Sequence, residues 1–490
     1  MRRKSVTFGK YVTAVSAAAL IASPLVPSVS HAGESGAVQN PVVVPSIESL
    51  MSVYGFDART AQQVAEAIPV RAQMGFATDV DFVAQLYLHP ETAAKGLPEF
   101  HLAQDEYDEF VHRQALASDA QKIDQALSES ELSSSYAGQW MDQLGGGRLV
   151  VLVLFDDLEK ARSWYADRLA NEMDQPDRID FRGASVSMRD LRTAQERMVA
   201  QRDHSKDGSD VSYVGSDVSA NQLVLGLEPT STDETKAYWS EFMNGIGLPY
   251  RIEYRQKPKE ASWGFASDPS TPPYYAGHGV TTSDNTTSGP AVHANFCTLG
   301  FKVTRTSAPN QAYLLSAAHC FINEPDKAPW QAPIDSKVYY NYNNSDGGTR
   351  TTMGLNSGYY ATQQFDLSLI HLGQSVFAKI ITDANPNNYN VVKAVAAYLP
   401  DDTFTCETGA KSNMTHCGQM TDWDNGDRET VTSIDGLIGG DSGGPLYQPK
   451  GGQDAWAIGI TRSAGTSVSH SSNLYRYLHT FCSDCNVAVQ

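Results

Sequence analysis

The run Gly439-Gly440-Asp441-Ser442-Gly443-Gly444-Pro445 sets one serine among glycines on what must be a sharp turn. Such a turn presents the Ser442 hydroxyl to a carbonyl carbon. It can also aim the backbone NH groups of Gly440 and Ser442 together at a developing oxyanion. A serine hydroxyl is a weak nucleophile until a base takes its proton, and histidine suits that task near neutral pH. Leu314-Leu315-Ser316-Ala317-Ala318-His319-Cys320 offers one, where an apolar strand runs through small residues into a histidine beside a cysteine that can tether it. Phe365-Asp366-Leu367-Ser368-Leu369-Ile370 places a carboxylate in an apolar stretch, where it can orient the imidazole and stabilise its cation. Asp346 and Asp383 are alternatives for that role. The chemistry these residues allow together is acyl transfer.

The texture of the chain from about residue 290 supports such a site. It reads as short alternating strands separated by Gly, Asn and Asp turns, the pattern of an all-β barrel or sandwich. His319, Asp366 and Ser442, in that order and with their flanking residues, resemble the catalytic triad of the chymotrypsin-like serine endopeptidases. The likeness is closer to the bacterial branch that includes streptogrisins and α-lytic protease. Phe296-Cys297-Thr298-Leu299-Gly300-Phe301 resembles the opening segment of that branch, and Cys406-Glu407-Thr408-Gly409 through His416-Cys417-Gly418 resembles its internal disulfide loop.

The resemblance implies a trypsin-like double β-barrel over 290–490, with the active site between the barrels. It also implies disulfides Cys297–Cys320 and Cys406–Cys417, each contributing about 3 kcal/mol in the loop-entropy picture. Three departures stand out. No cysteine occurs in Ile434-Asp435-Gly436-Leu437-Ile438, where the branch has one, so Cys482 and Cys485 are left over. Glu407 stands where the branch often has an arginine paired with the Asp before the nucleophile, which leaves Asp441 without an assigned partner. Arg462 falls where the branch keeps a small serine. The specificity pocket is assigned to Asp435, Leu437, Ile438 and Arg462. Leu437 and Ile438 favour an apolar substrate side chain, whereas Asp435 would favour Lys or Arg if a one-residue shift turned it inward. The apolar preference is the expectation.

The preceding half of the chain carries no comparable chemistry. All six cysteines lie beyond residue 296, and the net charge of −19 divides unevenly. Residues 280–490 hold 18 acidic and 12 basic residues, net −6, whereas 33–279 carry −17 and 1–32 carry +4. So acidic a chain lacks the basic footprint of a nucleic-acid binder. Residues 1–32 read as a signal peptide: Arg2, Arg3 and Lys4, an apolar stretch from about Tyr11 to Val26, then Ser30-His31-Ala32. Export to an oxidising compartment makes six cysteines read as structural disulfides.

Residues 33–270 read as an α+β segment. Its helical part covers about 45–135, where Tyr107, Phe110, Val111, Ile123 and Leu127 keep the spacing of a buried stripe. A strand–helix–strand unit then occurs twice over about 148–256. Its copies start at the apolar runs Leu149–Phe155 and Gln222–Leu227, and Ser231 with Glu234 has capping-box spacing before the second helix. Ser187 and Asp190 can start a further helix between the copies. Residues 271–289, rich in Ser, Thr, Pro and Gly, read as a linker and processing region. The arrangement resembles the propeptide of the same protease branch, which folds and restrains its protease before removal.

The expectation is therefore a secreted, monomeric serine endopeptidase made as a preproprotein, with protein or peptide substrates and its own propeptide as partners. It calls for no metal and no organic cofactor, and for no membrane contact after signal cleavage. The rival is a secreted, non-catalytic binding protein with a protease-like fold, whose N-terminal half is a permanent interaction module.

Overall fold

The computed structural model describes residues 43–94, 101–205, 208–254, 274–282, 296–321, 337–340, 351–361, 366–372, 376–380, 389–394, 399–410, 412, 414–423, 429–434, 437–450, 454–464, 468–480 and 482–489. The expected signal peptide, and residues 271–273 and 283–289 of the expected linker, lie outside them, whereas Tyr274–Ala276 and Gly279–Thr282 within that linker are strands paired into sheets.

Four helices come first: α1 (Ile47–Tyr54), α2 (Ala58–Gln73), α3 (Val80–Leu88) and α4 (Gln104–Ser128). Three begin on a side-chain cap, with Ser46, Asp57 and Asp79 each accepting from the NH three residues on. No helix among the described residues is long and apolar enough to cross a membrane.

Two similar units follow. The first is β1 (Tyr136–Asp142), β2 (Arg148–Leu154), α5 (Leu158–Arg168) and β3 (Ile179–Ala184). Helix α6 (Met188–His204) separates it from β4 (Val211–Asp217), β5 (Gln222–Leu227), α7 (Asp233–Ile246) and β6 (Tyr250–Tyr254). Each unit is an antiparallel hairpin whose second strand takes a parallel partner across the helix, in sheet orders β1-β2-β3 and β4-β5-β6. The sequence pattern shows only the last three elements of each unit. The opening strands β1 and β4 escape it, because neither is a continuous apolar run. A second difference is local: Thr232, not Ser231, caps α7 by accepting from Thr235 N at 3.2 Å. Ser187 does cap α6, accepting from Asp190 N at 3.2 Å.

Strand β2 is apolar from Leu149 to Leu154 because a buried central strand presents neither face to water. Its Leu149 to Val153 pack with Leu116, Ala120, Ile123 and Leu127 of α4 and with Trp164 and Tyr165 of α5. The second unit has its own core, where Leu191 and Met198 of α6 and Trp239 and Met243 of α7 cover β4–β6.

From Tyr274 the described residues are almost all strand: β7 (Tyr274–Ala276), β8 (Gly279–Thr282), β9 (Phe296–Thr298), β10 (Lys302–Arg305), β11 (Ala308–Ser316), β12 (Lys337–Tyr340), β13 (Thr351–Ala361), β14 (Asp366–Leu372), β15 (Val376–Ile380) and β16 (Tyr389–Ala394). Then come β17 (Phe404–Gly409), β18 (Met414–Asp422), β19 (Glu429–Thr432), β20 (Pro445–Pro449), β21 (Asp454–Ala464), β22 (Ser469–Asn473), helix α8 (Leu474–Thr480) and β23 (Cys485–Val487).

Two sheets result. One has the order β23-β10-β11-β14-β13-β12-β8-β9. The other runs β20-β17-β18-β19-β22-β21-β16-β15-β7, and a further β20–β21 pairing closes its first six strands into a ring. A six-stranded β-barrel with extra strands is therefore present, while the pairings among the described residues leave the first sheet open. The expected double barrel is met in its second half. Leu399, Met420, Ile434, Leu446 and Ile458 fill the barrel core.

Residues 43–490 form one compact unit, and α4 explains how. One of its faces covers β2, and the other lies against the barrel. Phe110 packs edge-on against Phe404 with ring centroids 5.4 Å apart, and Ala117 belongs to the barrel core. Gln114 bonds the side chain of Gln448 and accepts from Lys450 Nζ at 2.6 Å. The helix is therefore buried on two faces, and polar Arg113, Gln114 and Asp119 are buried along with its apolar residues. Beyond α4, Met141 N donates to Asp401 O at 2.7 Å, Gln143 Nε2 to Asp402 O at 2.9 Å, and Tyr213 OH to Asp422 at 3.2 Å.

Two predictions follow from this junction. Phe110→Ala should lower the stability of the full chain in urea by about 3–5 kcal/mol, the usual loss for a buried Phe; a change under about 1 kcal/mol would contradict the packing. The second concerns pH. Burial, and then the charges of Asp217 and Asp142, push Asp402 up to about 7, and Asp401 is raised by burial and by Asp422, Asp402 and Asp217. Arg251 pairs with Asp217, and Arg182 with Asp142. An unfolded aspartate titrates near 3.9, so unfolding between about pH 4 and 7 releases protons and stability falls as pH rises. Asp402→Asn should flatten that slope, measured as urea midpoints from pH 4 to 8. A slope unchanged by the substitution would contradict this reading.

Candidate active site

His319 sits on a single 3-10 turn, Ala318–Phe321, reached directly from β11. Asp366 is the first residue of β14, which pairs with β11 so that Ser316 opposes Ser368. The pairing brings the two side chains together. His319 N donates to Asp366 Oδ1 at 2.7 Å, and His319 Nδ1 bonds the other carboxylate oxygen. Asp366 is 2% exposed. Burial alone would raise its pKa, but the His319 ring, the charge of Arg462 and the His319 NH outweigh it and hold the carboxyl below its usual range. The disulfide Cys297–Cys320 fastens the histidine turn to β9.

Ser442 lies on the turn between Ile438 and Pro445. The turn needs its glycines. Gly440 and Gly443 have φ of +108° and +90°, and a Cβ on Gly443 would stand 2.2 Å from both Ser316 Oγ and Thr298 O. The NH groups of Asp441, Gly443 and Gly444 donate to Ile438 O, Thr461 O and Asp441 O. Those of Gly440 and Ser442 have no acceptor among the described residues. Ser442 Oγ donates to the carbonyl of Arg462 at 3.2 Å, and Cys320 Sγ lies 3.9 Å from Ser442 O. His319 and Asp366 are thus joined directly. Ser442 is held beside them through its backbone, with its hydroxyl turned to Arg462.

The expected pocket residues separate. Arg462 is ion-paired with Glu429, whose second oxygen meets His470 Nδ1 at 2.9 Å. Leu437 is packed in the barrel core. Ile438 is exposed. Asp435 lies outside the described residues, as do Asp346 and Asp383.

The partner left open for Asp441 is backbone. Its carboxylate accepts from Ile438 N and Ser412 N, both at 2.9 Å. The two expected disulfides are present, and Cys482 pairs with Cys485.

Thr298 was missed as a functional residue. Its NH donates to Ser442 O at 2.7 Å, its hydroxyl donates to Gly440 O at 2.8 Å and accepts from Ala410 N at 3.0 Å, and its carbonyl takes the Ser316 hydroxyl. One threonine therefore ties the nucleophile turn to both sheets. The only signal in the sequence is its place directly after Cys297.

No family model matches the chain, and no curated protein matches it. Solved structures of bacterial proteases do. Protease A of Thermobifida fusca and Nocardiopsis protease each match at TM-score 0.32 and 16% identity, covering 44% of this chain and 98% of their own. The chymotrypsin of Cellulomonas bogoriensis matches at 0.30 and 16%, over 44% of this chain and all of its own.

Thr298→Val keeps the side-chain shape and deletes both hydroxyl bonds. It should lower the stability of the full chain by about 1–3 kcal/mol, read from urea unfolding. An unchanged midpoint would show that the clamp contributes nothing.

Proposed function

We propose that the protein is a secreted serine endopeptidase of the chymotrypsin-like kind, made with an N-terminal segment that is later removed. The observation that carries this reading is the buried Asp366 carboxylate, kept ionised against its burial and bonded to His319 Nδ1. That bond fixes the tautomer in which His319 Nε2 is the free base.

In the reaction Ser442 Oγ turns from the Arg462 carbonyl and attacks the scissile carbonyl carbon, while His319 takes its proton. The oxygen that gains negative charge is received by the NH groups of Gly440 and Ser442. The C–N bond then breaks as His319 gives the proton to the leaving amine. Water, deprotonated by the same histidine, hydrolyses the acyl-serine. Asp366 stays ionised throughout and stabilises the imidazolium.

Residues 33–270 act as the propeptide in this reading. Support comes from their seat on the barrel, where α4, β1 and β4 brace β17–β19 of the ring that also contains β21, the strand of Thr461 and Arg462. A barrel assembled from strands distant in sequence gains from a template of this kind.

Expression of wild type and Ser442→Ala in a secreting host tests the proposal. Wild type should shed the region before about residue 285 and hydrolyse casein, and Ser442→Ala should remain full length and inert. Two full-length, inert proteins would contradict the peptidase reading and favour the binding-protein rival.

A further inference from the structure

Strand β17 contributes a carboxylate that the chemistry above does not use. Glu407 is fully buried, and its Oε1 accepts from Ser469 Oγ at 2.9 Å and from Ser471 Oγ at 2.7 Å. Its second oxygen, Oε2, has no hydrogen-bond partner. The Thr461 hydroxyl lies close enough to ease the charge, yet no well-formed hydrogen bond joins the two, and Thr461 Oγ1 is also unpartnered. Glu407 Oε2 and Thr461 Oγ1 are thus both left short of a well-formed hydrogen bond, beside an Oε1 that has two. A buried acid in that state is destabilising unless something else completes it.

The place of this group says what could complete it. Thr461 immediately precedes Arg462, whose carbonyl holds the Ser442 hydroxyl, and the Thr461 backbone bonds Gly443 and Gly444 of the nucleophile turn. Ser471 stands opposite Thr461 across the β21–β22 pair. The carboxylate is thus ringed by hydroxyls at the base of the hairpin that borders Ser442. Among the described residues no basic side chain is bonded to it. Arg462, the nearest arginine in sequence to the hairpin, is paired with Glu429 instead. Burial raises Glu407 to about 7, with the charge of Asp441 adding to the rise.

We propose that Glu407 sets the specificity of this site. Its carboxylate receives the cationic side chain, Lys or Arg, of the substrate residue whose carbonyl Ser442 attacks. A guanidinium or ammonium supplies donors for Oε2, and the three hydroxyls accept the remaining hydrogens. This assignment rests on the endopeptidase reading, and it replaces the apolar preference expected from Leu437 and Ile438. A site built to pair a buried charge rejects an uncharged side chain far more strongly than an apolar pocket rejects a wrong size.

The test uses the secreted, processed protein and peptide p-nitroanilides ending in Lys, Arg, Leu, Phe or Glu at pH 8. Wild type should show kcat/KM for Lys or Arg at least about tenfold above the others. Glu407→Gln should lose about 100-fold on the basic substrates and change less than about threefold on Leu and Phe. A wild-type preference for apolar or acidic residues, or a basic preference that survives Glu407→Gln, overturns the assignment. Should Glu407→Gln fail to accumulate, competitive inhibition of wild type by benzamidine against neutral benzamide gives the same answer. Binding at least about tenfold tighter for the amidinium, strengthening as pH rises through 7, supports the proposal, and equal binding overturns it. Labelling with a fluorophosphonate on the same sample separates the two levels. Labelled Ser442 without basic preference overturns only the Glu407 assignment, and absence of labelling overturns the endopeptidase reading with it.

Discussion

The rest of the site depends on one constraint: a negative charge at Asp366 must be kept in an interior that disfavours it. A carboxylate so buried survives only where donors and positive charge surround it. Here the His319 NH, the His319 ring and the nearby guanidinium of Arg462 do so. The requirement then propagates. Arg462 is itself partly buried and needs Glu429, and Glu429 is buried and also meets His470. A chain of compensated charges thus runs from the first sheet through β21 to β19 and β22, and Asp366 N reinforces it by donating to Ser472 Oγ at 3.3 Å. Polar satisfaction, more than apolar contact, fixes where the histidine strand stands relative to the barrel.

The Ser442 turn is positioned by the same logic, through one carboxylate and one hydroxyl. Asp441 draws in the NH groups of Ile438 and Ser412, while Thr298 holds the carbonyls on either side of Asp441. With those groups fixed, the NH groups of Gly440 and Ser442 are left pointing at neither strand. The N-terminal part braces this arrangement from the outside, since Tyr213 reaches both Asp422 and the ring of His470. The braced face also buries carboxylates of both parts, among them Asp402, Asp422 and Asp217. The acidity of the chain is in this respect partly structural.

The legible parts of the sequence were those whose physics is local. The glycines around Ser442 declared a tight turn, the run Leu149–Phe155 declared a buried strand, and Ser187 declared a helix start. Tyr136–Asp142 was hidden because Gly138, at φ +111°, marks an irregularity in its pairing with β2, and such a strand shows no clean alternation. The double coverage of α4 was equally invisible, since its second partner, Phe404, lies nearly 300 residues away. Glu407 was noticed only as a departure from an expected arginine. Its hydroxyl ring comes from β22, which nothing in the local pattern places beside β17. Groups that act through long-range satisfaction leave no periodic trace.

The central claim is that Ser442 becomes a covalent nucleophile because His319, held by Asp366, takes its proton. The most direct measurement is acid-quenched reaction of the processed protein with p-nitrophenyl acetate, followed by peptide mapping by mass spectrometry. The account predicts an acetyl group on Ser442 in wild type and none on the same timescale in His319→Ala. An unmodified Ser442, or an acetyl group that forms as fast without His319, would contradict it.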